Sequence, residues 1–199
     1  MPGDPMKLRK RYEFKPDPGE QSILNQLWLT PKQRHTLLKW VLYSLFLLVL
    51  SLVQDVVLIR FPVSGATAEL MVAGILVISL LQTPETGGLF ALIGSLLFYC
   101  TGSTPGAHSV VTLTFLSVLL NLLRHALLSR RFRSVFLCAA AGVMIYEAVV
   151  FVVALFLEQT YMARAGVFLT AGLLGVATIP FVYPLAFLIG KIGGESWKD

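Results

Sequence analysis

The chain has 199 residues, of which 56% are hydrophobic and only 14% charged, with a net charge of +5. At a mean hydropathy of +0.75, a soluble domain of this size would carry more apolar surface than it could cover, so an ordinary soluble globular protein is excluded. What remains is an all-α integral membrane protein, and its basic residues, which flank apolar segments, suit anionic lipid headgroups and chain orientation rather than nucleic acid.

Residues 1–36 read as a cytoplasmic basic arm. Within it Lys7, Arg9, Lys10, Arg11 and Lys15 are interleaved with Pro2, Pro5, Pro16 and Pro18; prolines at that density oppose a regular helix and predict a tether near the membrane surface. Ile23, Leu24, Leu27 and Trp28 then fall at helical spacing with Asn25 and Gln26 opposite, the pattern of either a short interfacial helix or a linker. At Thr30-Pro31-Lys32-Gln33 a capping Thr is followed by Pro at the first helical position and Gln three residues on, so the first membrane helix is expected to begin near Pro31.

Six apolar segments follow, at residues 37–58, 68–81, 88–101, 109–127, 134–157 and 167–190, before a short tail at 191–199. The first starts too far from Met1, and is too long, for a cleaved signal peptide. The second and third are short, roughly 14 residues each, and predict either tilted spans or a re-entrant pair. With the N-terminus in the cytoplasm, 14 of the 16 Lys and Arg fall on the cytoplasmic side and only Arg60 and Arg164 on the other. Both termini are therefore expected inside, as is the basic cluster Arg124, Arg130, Arg131 and Arg133 between segments four and five, facing lipid or an acidic partner.

Reaction chemistry is not apparent. The chain has no phosphate-binding glycine loop, no His-Glu-x-x-His pair and no strained serine turn, its two cysteines sit in different segments, and its three histidines are scattered. No cofactor or metal site is expected, and the chain reads as not an enzyme. Glu147 stands out because it lies near the middle of segment five, where a carboxylate is costly and must face protein. Two uses remain open: a hydrogen bond to a neighbouring helix, with Asn121 the candidate partner and Tyr146 a second possible donor elsewhere in the bundle, or a proton or ion relay. Glu69 lies near an outer end, and no second carboxylate is apparent at the level of Glu147.

The most distinctive local pattern is Gly94-Ser95-Leu96-Leu97-Phe98-Tyr99-Cys100-Thr101-Gly102-Ser103-Thr104-Pro105-Gly106-Ala107-His108. Gly94 allows close helix approach, while Gly102, Pro105 and Gly106 stop the helix and reverse the chain. This spacing resembles the MreD family of rod-shape-determining proteins, with Gly94, Leu96, Leu97, Gly102, Gly106 and His108 at matching positions. Phe98 stands where that family has an aspartate. Val53-Gln54, Ala68-Glu69-Leu70 and Pro180-Phe181-Val182-Tyr183-Pro184 are similar to further family segments in the same order, so the likeness covers roughly residues 37–190.

The resemblance implies a multi-pass protein of the bacterial cytoplasmic membrane. Its implied work is non-catalytic: a scaffold of the cell-elongation machinery that binds MreC and links the MreB cytoskeleton to sidewall peptidoglycan synthesis. Gly142, Gly172 and Gly175 would serve helix contacts.

MreD-like proteins also resemble in fold the substrate-binding S components of energy-coupling-factor vitamin transporters. That alternative needs a polar outer cavity, to which Glu69, Tyr99, His108, Glu158 and Tyr161 are the available contributors, and a small-residue face on helix one. Residues 37–58 contain neither Ala nor Gly. A membrane enzyme without a recognised motif ranks third and would require a carboxylate or histidine pair converging near Glu147.

Overall fold

A computed structural model describes residues 31–62, 65–102, 104–127 and 132–192. The basic arm with its proposed interfacial helix, Arg130, Arg131 and residues 193–199 lie outside the described residues. Among the described residues six α-helices follow one another: α1 (Pro31–Leu52), α2 (Leu70–Leu81), α3 (Pro84–Cys100), α4 (His108–Leu127), α5 (Phe132–Phe156) and α6 (Ala165–Ile192). Beyond Leu52 the first helix widens into a π-turn at Val53–Val57 and tightens into a 3-10 turn at Leu58–Arg60.

The shortest helix holds the centre. The α2 sequence LMVAGILVISLL carries a single polar side chain, Ser79, and so has no polar face to give to water. A helix apolar all round is stable only when surrounded. All twelve of its residues are buried, and it packs against each of the other five helices. At 1.5 Å per residue it is only about 18 Å long, against about 30 Å of hydrocarbon in a bilayer. Four helical stretches are long and apolar enough to cross a membrane: Thr36–Arg60, His108–Ala126, Phe132–Phe156 and Met162–Lys191. The chain is thus a helical, multi-pass membrane protein with two shorter helices, α2 and α3, in the bundle.

Glycines set the closest approaches. A Cβ on Gly94 would stand 3.0 Å from Ile75 of α2 and 3.1 Å from Leu47 of α1, so the bare backbone of α3 is what lets three helices meet there. Gly142 does the same for α5, where a Cβ would lie 2.6 Å from Leu120 and 3.0 Å from Leu76. Gly175 faces Val143 across the α5–α6 contact. These small residues, together with Gly172, are spent on contacts inside the bundle rather than on an external partner.

Outward faces are apolar. Leu38, Val41, Leu45 and Leu48 on α1, Val111, Phe115 and Leu119 on α4, and Leu169, Leu173 and Phe181 on α6 are all exposed, which in water would be an aggregation surface and in lipid is the ordinary exterior. Pro180 and Pro184 lie inside α6 without ending it, both on its exposed side. Tyr183 between them turns inward and meets Phe132 edge-on at 4.7 Å, joining α6 to the start of α5.

Candidate functional site

Two groups of polar side chains sit inside the bundle: one caps the two ends of α2, and the other gathers near its start. The first is structural. A helix end leaves backbone N–H or C=O groups without intrahelical partners, and inside a membrane protein no water is at hand to meet them. At the N-terminus of α2, Oε1 of Gln54 accepts a 2.8 Å hydrogen bond from the backbone N–H of Met71. The π-turn that carries Gln54 widens the end of α1 at the level where α2 begins. At the other end, Nδ2 of Asn121 donates to Ser79 O at 2.7 Å and lies 3.4 Å from Gln82 O and Thr83 O. Gly87 makes room for it: a Cβ there would lie 2.5 Å from both Asn121 Nδ2 and Ser79 O.

Asn121 is therefore not the partner of Glu147. Its amide is committed to the opposite end of α2, and the pairing expected from sequence is corrected. Depth along a helix is poorly read from sequence when the neighbouring helix is short, because the register between the two is set by packing rather than by counting residues from a loop.

The second group surrounds Glu147, which is 4% exposed on the inner side of α5. Its neighbour is a carboxylate after all. Glu69, the residue preceding α2, turns inward, and the two carboxyl groups lie within electrostatic reach of one another. Tyr146, 0% exposed, faces both. Each of the three presents a buried oxygen without a hydrogen-bond partner among the described residues: Glu69 Oε2, Glu147 Oε1 and Tyr146 Oη. Ser109 stands beside the Tyr146 hydroxyl but outside hydrogen-bonding geometry, and its own proton goes to Gly106 O at 2.6 Å. Glu69 comes close because α2 is short, which sets its first turn deep in the bundle.

On its other side Glu147 meets a cavity of about 180 Å³ between α5 and α6. Met144, Ala148, Phe151, Ala165, Phe168 and Leu169 complete the lining, so Glu147 is the only ionisable group in it. Phe151 and Phe168 stack obliquely across it at 5.1 Å. Gly172 packs on the aliphatic part of Glu147, 3.4 Å from its Cγ to an added Cβ.

The remaining sequence candidates are distributed otherwise. Gly102 adopts φ +74°, the left-handed conformation that closes α3, with Thr101 N–H bonded to Leu97 O and Gly102 N–H to Tyr99 O. Gly106 lies against the His108 ring, and its carbonyl accepts the first backbone bond of the α4 entry from Ser109. His108 opens α4 with Nε2 buried. Tyr99, Glu158 and Tyr161 are exposed, so of the five outer residues weighed for a ligand cavity only Glu69 joins the inner group. Among the described residues, no three His, Cys, Asp or Glu side chains gather as a metal site would require.

Arg124 departs furthest from expectation. It is 1% exposed, in the last turns of α4, and acts electrostatically on Cys138 of α5 and Tyr183 of α6. It is a bundle residue and not part of a loop cluster that meets lipid. Arg133, one residue into α5, is exposed as that cluster requires.

Compared with known proteins, the chain matches no family model, no curated protein and no solved structure.

Proposed function

We propose that this chain is a non-catalytic scaffold of the bacterial cell-elongation machinery, similar in kind to the MreD proteins, held in the cytoplasmic membrane with both termini inside. In this reading it binds MreC and helps link the MreB cytoskeleton to sidewall peptidoglycan synthesis. The observation that carries it is the work done by the residues of the sequence likeness. Gln54 caps the central helix, Gly94 joins three helices, and Gly102 closes the turn after α3. These residues build a fixed body rather than a reaction centre, and a fixed body with apolar flanks is what a membrane docking partner needs. All six helices cross in this reading, α2 inside a sheath of protein where its length need not match the lipid.

The test is crosslinking and purification of the tagged protein from its native membrane, with mass spectrometry of whatever accompanies it. MreC and sidewall-synthesis proteins are the expected companions. A second reading, the S component of an energy-coupling-factor transporter, is favoured by one observation, the buried Glu69–Tyr146–Glu147 group beside a cavity. Recovery of paired ATPases and a transmembrane coupling subunit would replace the scaffold with that reading.

A further inference from the structure

The cavity between α5 and α6 and the carboxylate at its wall belong to neither the capping of α2 nor the helix contacts described above. Glu147 is nine-tenths buried, and one of its oxygens lacks a donor among the described residues. On an insertion scale, an ionised acidic side chain at the centre of a membrane helix costs about 3 kcal/mol. Behind it Glu69 and Tyr146 add two further oxygens without partners. No basic side chain is among the groups acting on either carboxyl. Each side chain in this group therefore offers an acceptor oxygen, and among the described residues none of them meets a positively charged donor.

The cavity is the way in. It spans Met144 to Phe151 on α5 and the first turn of α6 at Ala165 to Leu169, and apart from Glu147 its lining is apolar. A dry apolar cavity of about 150 Å³ accommodates a benzene ring, so one of about 180 Å³ holds a single ring and a short tail. Phe151 and Phe168 offer ring edges and faces to such a group.

From this geometry we infer that the α5–α6 cavity binds a small amphiphilic amine, its apolar body against the Phe151–Phe168 ring pair and its ammonium on the Glu147 carboxylate. The ammonium supplies a donor to this group, and Glu69 Oε2 and Tyr146 Oη stand behind Glu147 as further acceptor oxygens. Neither the scaffold nor the transporter reading is assumed. An ammonium can come from a free amine or from an ethanolamine lipid headgroup, and the experiment separates the two.

The full-length protein is reconstituted in nanodiscs of phosphatidylglycerol, which carries no amine, and its thermal unfolding midpoint is followed with rising 2-phenylethylamine. The neutral isostere 2-phenylethanol serves as the comparison. The midpoint is expected to rise saturably with the amine and not with the alcohol. Glu147→Gln, which keeps the shape of the site, is expected to weaken the apparent affinity at least about tenfold, or about 1.4 kcal/mol. Ala148→Phe, on the exposed side of the cavity, fills it without touching the carboxylate and is expected to abolish the response even where Glu147→Gln folds poorly. Nanodiscs with added phosphatidylethanolamine identify the source: if the lipid raises the midpoint and removes the response to the probe, the headgroup is the natural ammonium. Equal responses to amine and alcohol, an equal response in both variants, or no response in the wild type would each overturn the assignment.

Discussion

Gln54 and Asn121 hold opposite ends of the same helix. Gln54 accepts the Met71 N–H at the start of α2, and Asn121 donates to Ser79 O at its finish. Each reaches across from a different helix, and neither end of α2 has a side-chain cap of its own. Replacing Gln54 by Leu leaves the Met71 N–H buried and without its partner, at a cost of about 1–3 kcal/mol. Replacing Asn121 by Leu removes the donor from the carbonyl end, with a similar cost. The two sites lie a helix length apart and share no partner, so the double variant is expected to show the sum of the single losses in thermal unfolding in detergent.

Gly87 and Asn121 are expected to be coupled instead. Gly87→Ala places a methyl against both Asn121 Nδ2 and Ser79 O, an overpacking that costs about 1–3 kcal/mol. In an Asn121→Ala background part of that clash disappears. A double-mutant cycle on the unfolding midpoint should return a non-zero interaction energy, smaller than the full Gly87→Ala loss because the Ser79 carbonyl still stands in the way.

Gly94→Leu should be more damaging than Leu96→Ala at an exposed position of the same helix. The side chain would enter the space held by Ile75 and Leu47. The measurable outcome is a loss of folded, monodisperse protein on size-exclusion chromatography. Normal yield and an unchanged midpoint would place Gly94 on lipid and remove the contact.

Arg124 and Arg133 differ by environment and should differ in consequence. Truncating the buried Arg124 side chain to Ala leaves a gap inside the bundle, and large-to-small core truncations cost about 2–5 kcal/mol. An exposed arginine at a helix start is worth within about 0.5 kcal/mol. Arg124→Ala is therefore expected to reduce accumulation in the membrane sharply and Arg133→Ala hardly at all, as followed by a fluorescent fusion.

Two cysteines allow the proposed orientation to be read directly. Cys100 ends α3 and is exposed, whereas Cys138 is buried. Cys100 should react with maleimide in the folded protein and Cys138 only after denaturation. With the N-terminus inside, a membrane-impermeant maleimide should reach Cys100 from the outer side of the membrane. Labelling only after the cytoplasmic face is opened would invert the topology.

The helices themselves were legible. Six apolar segments give six α-helices among the described residues, and the stop at Gly102 follows from local chemistry that acts within a few residues. The close approach at Gly94 was legible for the same reason. What escaped was depth and register. Asn121 and Glu147 both read as mid-membrane polar groups, yet they serve opposite ends of the bundle, because α2 is twelve residues long and its two ends stand far inside. Glu69 reads as lying near the outer end of its segment, away from Glu147, and lies beside it for that same reason. Arg124 reads together with its neighbours in sequence, yet it is buried in α4 while Arg133 is exposed at the start of α5. Gly87 offered no sign at all, since its value lies in the amide that reaches past it from another helix.

The central position of α2 also bears on the order of assembly. It leaves the ribosome after α1 but before α4, α5 and α6, so much of the wall that will enclose it does not yet exist. Its Gln54 side chain has already been made, but Asn121 lies some forty residues further downstream and is still to be synthesised. At about 18 Å it is a poor match for bare lipid, and it has to wait, sheltered by the insertion machinery or held shallowly, for later helices to arrive. The bundle is thus completed from its C-terminal half: a nascent chain arrested before Ala165 lacks one wall around α2 and is a substrate for membrane quality control rather than a smaller working protein.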